Sequence, residues 1–192
     1  MRSLGLLLTA GLLVSSCAFA NLLTYGAPLS GANESPANSS TGTGFADVII
    51  DNVAQTMEVQ VTFSGLVGNT TASHIHCCVA PGGNAGVATT TPTFTGFPLG
   101  VTSGTYDHTF DLTNASSYNP AFVTAEGGVA GAEAALLAGL AADQAYLNIH
   151  STTFPTGEIR GFLVPVPEPA SFPVVAALLG FGAVIVKRRR RT

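Results

Sequence analysis

The run Gln55–Ser64 alternates without a break. Met57, Val59, Val61 and Phe63 point one way; Thr56, Glu58, Gln60, Thr62 and Ser64 point the other. A period of two with one apolar face is the pattern of a half-buried antiparallel strand. Thr105–Leu112 repeats it, with Tyr106, His108, Phe110 and Leu112 set against Asp107, Thr109 and Asp111. Phe45–Ile50, His74–Cys78, Ala145–His150 and Gly157–Val164 read as further strands. Asp51-Asn52, Pro81-Gly82-Gly83-Asn84 and Phe154-Pro155-Thr156-Gly157 supply turns and loops between them. One helix interrupts the series at Ala130–Ala142, with Leu136, Leu137 and Leu140 as its apolar stripe. Gly139 weakens that helix by roughly 1 kcal/mol, so packing must hold it. About seven short strands with regular turns predict a mainly β domain, an antiparallel sandwich or barrel with one short helix.

The two ends have a different character. Arg2, the apolar Leu4–Val14 and the small-residue pattern Ala18-Phe19-Ala20 form a signal peptide cleaved between Ala20 and Asn21. A rival pattern, Val14-Ser15-Ser16-Cys17, loosely resembles a lipobox that would place a lipid on Cys17. At the other end Pro165-Val166-Pro167-Glu168-Pro169 is a stiff extended spacer, since each proline locks φ and disfavours helix before it. The uncharged Ala170–Val186 spans about 25 Å as a helix, at the short end of what crosses a bilayer. Lys187 to Arg191 then stop transfer and stay cytoplasmic, which puts the upstream chain outside. Spacer, spanning helix and arginine-rich end together resemble a PEP-CTERM sorting signal over residues 165–192. That resemblance implies a bacterium with an exosortase, a membrane transpeptidase that cuts near Pro167, Glu168 and Pro169 and moves the protein to the cell surface or extracellular matrix. Without such an enzyme the helix is a plain membrane anchor.

Of seven Lys and Arg and eleven Asp and Glu, six bases and one acid lie in these ends: Arg2, Lys187 to Arg191, and Glu168. The middle of the chain therefore carries ten acids against a single base, Arg160. Such a surface repels nucleic acid and anionic lipid, which need cationic counter-charge. Cys77 and Cys78 are the only cysteines of the middle part. Being adjacent, they cannot staple distant loops; a vicinal disulfide, an intermolecular bridge and soft metal ligation are the options.

His74-Ile75-His76 puts two imidazoles on one strand face about 7 Å apart, with Ile75 toward the core. In Tyr146-Leu147-Asn148-Ile149-His150, Asn148 and His150 oppose the apolar Leu147 and Ile149. Glu158 and Arg160 flank the inward Ile159. If these strands are neighbours, His74, His76, Asn148, His150, Glu158 and Arg160 form one polar cluster away from the core. One outcome is a copper or zinc site on His74, His76 and His150, with an open position for water. The other is a structural network in which Glu158 pairs with Arg160. His108, between apolar neighbours, reads as a core or rim histidine. No Gly-x-Ser-x-Gly elbow, phosphate loop, His-Glu-x-x-His or dinucleotide fingerprint is present, so no catalytic residue is assigned.

Leu29-Ser30-Gly31-Ala32-Asn33-Glu34-Ser35-Pro36, Ala72-Ser73-His74-Ile75-His76, Tyr146-Leu147-Asn148-Ile149-His150-Ser151 and Gly157-Glu158-Ile159-Arg160-Gly161 resemble, in this order, the motifs of a CHRD domain. The resemblance covers about Leu22–Val164 and implies an extracellular, immunoglobulin-like β domain without an established enzymatic activity. Chordin's growth-factor binding does not carry over to an exported bacterial chain. The expected organisation is signal peptide 1–20, CHRD-like domain 21–164 and sorting signal 165–192. The expected role is a non-catalytic surface or matrix protein. Its expected partners are the exosortase-type enzyme, the membrane before processing, and a matrix polysaccharide or surface protein. Two alternatives are a redox-type copper or zinc domain and a carbohydrate-binding module, the latter without any tryptophan to stack on sugars.

Overall fold

The computed structural model describes residues 22–167. Eight strands follow one another: β1 Leu22–Ser30, β2 Thr43–Asp51, β3 Thr56–Ser64, β4 Thr70–His76, β5 Gly104–Asp111, β6 Tyr146–Ser151, β7 Ile159–Phe162 and β8 Val164–Pro165. Two helices, α1 Pro120–Ala125 and α2 Val129–Ala141, lie between β5 and β6. All strand pairings are antiparallel, in the order β4-β6-β7-β1-β2-β3-β5, with β8 on β1. The result is one curled sheet rather than the two separate sheets of an immunoglobulin-like sandwich. The reason lies in β1, which pairs with β2 along its length and reaches β7 through Ser30 opposite Arg160, so the ladder continues across.

The uninterrupted alternation of Gln55–Ser64 is β3: Met57, Val59, Val61 and Phe63 are buried against the core. Its turn from β2 is closed by Asp51, whose Oδ1 accepts the N–H groups of Val53 and Ala54 at 2.8 and 2.9 Å. The apolar faces of all seven long strands meet in a single core with Ala132, Leu136 and Leu140 of α2. Leu137 packs only at its edge. The pattern predicts a single helix, but a second one, α1, is started by Asn119, whose side chain accepts from the N–H of Ala121, with Pro120 in the first turn.

The sequence pattern does not predict β1. Gly26 and Pro28 interrupt it, and a proline argues against a central strand. Pro28 is tolerated because it falls between two short pairings, Tyr25 and Gly26 with β8 and Ser30 with β7. The free edge of β4 is covered by the chain from residue 86 to 101. Ala88 and Thr89 donate to the carbonyl of Ile75, Phe94 to Ser73 and Gly100 to Thr70. That cover removes an exposed edge that would otherwise pair with another chain.

The cleavage point Ala20–Asn21, Cys17, Glu168, Pro169, the helix expected over 170–186 and the cationic end 187–192 lie outside the described residues; Pro167 is the last within them. Among the described residues, no helix is long and apolar enough to cross a membrane.

Candidate metal centre

Strand register brings three separate sequence segments together. His74 lies opposite Asn148, and Asn148 opposite Arg160, so one row of partners runs across β4, β6 and β7. His76 lies opposite Tyr146, which lies opposite Phe162; His150 lies opposite Ala72. Directly opposed residues point to the same face, so His74, His76, His150, Asn148 and Arg160 share the face turned away from the apolar core. That face is not open to solvent. His74 is 6 % exposed, His76 8 %, Asn148 3 % and Arg160 1 %; His150 is half-buried. Loops cover it, because Asn38, Asn84 and Arg160 tie the segments around 33–38, 83–85 and 157–158 to one another.

The three imidazoles form a triangle with ring centres 5.4 Å (His74 to His150), 5.9 Å (His74 to His76) and 6.0 Å (His76 to His150) apart. Each ring spends one nitrogen on a backbone carbonyl. His74 Nε2 bonds Pro92 O at 2.6 Å, His76 Nδ1 bonds Ala85 O at 2.9 Å and His150 Nδ1 bonds Pro155 O at 3.0 Å. A carbonyl only accepts, so each of those nitrogens must carry the proton. The tautomers are thereby fixed, and the remaining nitrogens are lone-pair donors: His74 Nδ1, His76 Nε2 and His150 Nε2. All three are buried with no hydrogen-bond partner. One ligand nitrogen from each histidine lies within 4.8 Å of the others.

Burial also keeps the rings neutral. It lowers the pKa of His76 to about 4, against the weaker opposing effect of the Ala85 carbonyl, and lowers those of His74 and His150 as well. Neutral imidazole, with its second nitrogen held by a carbonyl, is the state a metal ion requires. Zinc–nitrogen bonds of about 2.0–2.1 Å set tetrahedral ligand atoms roughly 3.3 Å apart. Ligand atoms at most 4.8 Å apart would therefore close by about 1.5 Å at most on taking up an ion. Copper suits the same imidazole set. Beside the histidines lies a cleft of about 490 Å³, lined by His76, Tyr146, Asn148, Glu34, Phe154 and Gly157.

The rest of the polar cluster is arranged differently from the sequence expectation. Glu158 does not pair with Arg160. Its buried carboxylate accepts from Ser40 Oγ at 2.6 Å and from the N–H groups of Val67 and Gly68. Burial pushes its pKa up, but hydrogen bonds from Ser151, Ser40, Val67 and Gly68 outweigh that and hold it below the ordinary carboxylate value. Glu158 thus locks the loops at 40 and 67 onto β7, apart from the histidines. The partner of Arg160 is Glu34, 3.9 Å away. Arg160 also donates to Asn33 O at 2.6 Å, Gly83 O at 3.1 Å and Asn84 Oδ1 at 2.7 Å. Burial raises the pKa of Glu34 to about 7, despite Arg160 and a hydrogen bond from the Asn148 side chain. Gly157, at φ 138°, allows that approach: a Cβ there would collide with the Asn148 side chain and with Glu34 Oε1.

Glu34, Asn84 and Tyr146 are therefore site residues that sequence reasoning did not single out as such. The available signal was Arg160: the lone base among ten acids, on a strand that is apolar on its other face, requires a buried partner. His108 sits half-buried on β5 beside Tyr106 and Phe110, away from this site. Cys77 and Cys78 are joined in a vicinal disulfide immediately after His76. It packs on Gly139 of α2, where any side chain would collide with both sulfurs.

Residues 25–163 match the family model described as CHRD domain. No curated protein and no solved structure matches the chain.

Proposed function

The chain belongs to the CHRD-domain family, and from that membership we propose that it is an exported, non-catalytic surface or matrix protein whose working part is a mononuclear copper or zinc site on His74, His76 and His150. One observation carries the metal reading: three histidines, each with one buried nitrogen left without a hydrogen bond while the other is held by a carbonyl, cluster so that a ligand atom of each lies within 4.8 Å of the others. A buried polar atom without a partner costs free energy comparable to a lost hydrogen bond. Three of them on clustered histidines make a poor structural network and a good ligand set.

Family membership supports an extracellular or periplasmic location, and the acidic middle of the chain suits a soluble exported domain. Delivery is the task of the segments outside the described residues. The signal peptide exports the chain, and the Pro167-Glu168-Pro169 tail offers it to an exosortase-type enzyme before release at the surface. When bound, the ion would supply a ligand-binding centre with an open coordination position. Around it, Pro92, Ala85 and Pro155 fix the ligand tautomers, and the cleft beside His76 gives access to small molecules.

Two experiments test the two halves. For sorting, removal of residues 166–192 followed by cell fractionation should release the domain or leave it in the wrong compartment; unchanged localisation refutes the sorting role. For the metal, the purified protein should bind one equivalent of copper or zinc, and His76→Ala should bind none.

A further inference from the structure

Resting on the metal site just proposed, we infer that the site is charge-selective: it favours copper in the cuprous state over divalent zinc or copper, because its donors are uncharged and a buried cation stands beside them. No carboxylate or thiolate belongs to the ligand group, and the neighbouring Cys77 and Cys78 are bound to each other. A divalent ion on three neutral nitrogens keeps its full double charge. In most buried sites, anionic ligands or an acidic neighbour offset such charge. Here the neighbour is Arg160, only 1 % exposed.

Its guanidinium lies 4.7 Å from the centre of the Tyr146 ring, and that ring stacks on the His76 imidazole at 4.8 Å, 3° from parallel. A single aromatic ring therefore touches both the cation and a ligand. The field of Arg160 acts on an ion at His76 Nε2 and weighs twice as heavily on a double charge as on a single one. Glu34 offsets it only in part, since the carboxyl is 3.9 Å from Arg160 and is held largely protonated below about pH 7. Three neutral nitrogens can complete a cuprous site, whereas zinc on three histidines also takes up a water at the open position. A unit charge on the order of 10 Å away, at an effective dielectric of about 20, changes a binding constant by on the order of tenfold.

The test uses the full chain in detergent solution. Cuprous copper is titrated anaerobically against a chromophoric chelator, zinc against a second chelator, and the reduction potential of the copper form is measured. Cuprous copper should bind more tightly than either divalent ion, with a potential above that of the aquated copper couple. Arg160→Met should narrow the preference about tenfold and lower the potential, while Arg160→Lys should hold both near wild type. Glu34→Gln at pH 8, which removes the opposing negative charge, should shift both the other way. Opposite signs for two changes in one ion pair cannot come from general destabilisation. If Arg160→Met does not fold, the wild-type preference and Glu34→Gln decide the matter. Zinc binding as tight as cuprous copper, or a preference unmoved by the variants that fold, overturns the charge argument and leaves the metal site standing. Absence of any bound metal removes both.

Discussion

The imidazole of His76 lies flat against the ring of Tyr146, with centres 4.8 Å apart and planes within 3°. The same two residues are joined through one loop residue: Ala85 donates its N–H to the Tyr146 hydroxyl at 3.2 Å, and its carbonyl accepts from His76 Nδ1 at 2.9 Å. Ring, hydroxyl and carbonyl together set the direction in which His76 Nε2 points. Removing such outer partners from a metal ligand typically costs ten- to a hundredfold in affinity. Tyr146→Leu should weaken metal binding by at least tenfold in a competition titration. Tyr146→Phe keeps the stack and loses only the hydroxyl, so its effect should be smaller. Equal affinities for both variants and wild type would show that His76 is oriented by something else.

The metal-free protein should lose stability as pH falls from about 6.5 to about 4. The folded state holds the His76 pKa near 4, against 6.5 ordinarily, so in that window the unfolded chain binds more protons and gains on the folded one. For His76 alone the change is about 3 kcal/mol, and the lowered pKa values of His74 and His150 add in the same direction. Glu34 acts with the opposite sign. Its folded pKa of about 7 lies above the ordinary 4.5, so its contribution is complete below pH 4.5 and lost as pH rises toward 7. Urea melts of Glu34→Gln across pH 4 to 8 should therefore show a steeper rise of stability with pH than wild type. A parallel profile would show that Glu34 titrates at its ordinary value.

Glu158 should matter for folding and not for metal selectivity. Its carboxylate accepts the hydroxyl of Ser40 and the amides of Val67 and Gly68 while fully buried. Glutamine would present an NH₂ group to donors at one of these positions, and leaving buried donors unmet costs about 1–3 kcal/mol. Glu158→Gln should lower the thermal midpoint by several degrees while leaving the relative affinities for cuprous copper and zinc as in wild type. A change in that ratio would assign Glu158 to the metal site.

Gly139→Ala offers a test of opposed effects. Alanine in mid-helix is favoured over glycine by about 1 kcal/mol. The new methyl group, however, would collide with the sulfurs of both Cys77 and Cys78, and overpacking a fitted contact costs typically 1–3 kcal/mol. The thermal midpoint should fall. A rise would mean that the disulfide does not sit against α2.

The strands with an apolar face in strict alternation were readable from the residues because solvent and core impose a period of two. The helix α2 was readable from its alanine and leucine content. By contrast β1 was hidden, since Gly26 and Pro28 break the pattern and are accommodated only by the gap between β8 and β7. The gathering of His74, His76 and His150 on one face followed from parity. Their burial did not, because the cover comes from loops whose positions depend on long-range bonds such as Asn38 to Gly157 and Asn84 to Ser35. The pairing of Arg160 with Glu34 rather than Glu158 escaped for the same reason: 126 positions of chain separate the partners, and only the fold brings them to 3.9 Å.

Metal content of the protein recovered from its producing cells, measured after exposure to copper and to zinc, bears most directly on the three-histidine centre. One tightly held equivalent is predicted, retained on dialysis in wild type and in Glu158→Gln and lost in His74→Ala, His76→Ala and His150→Ala. A folded wild-type protein that retains no stoichiometric metal from either source would contradict it.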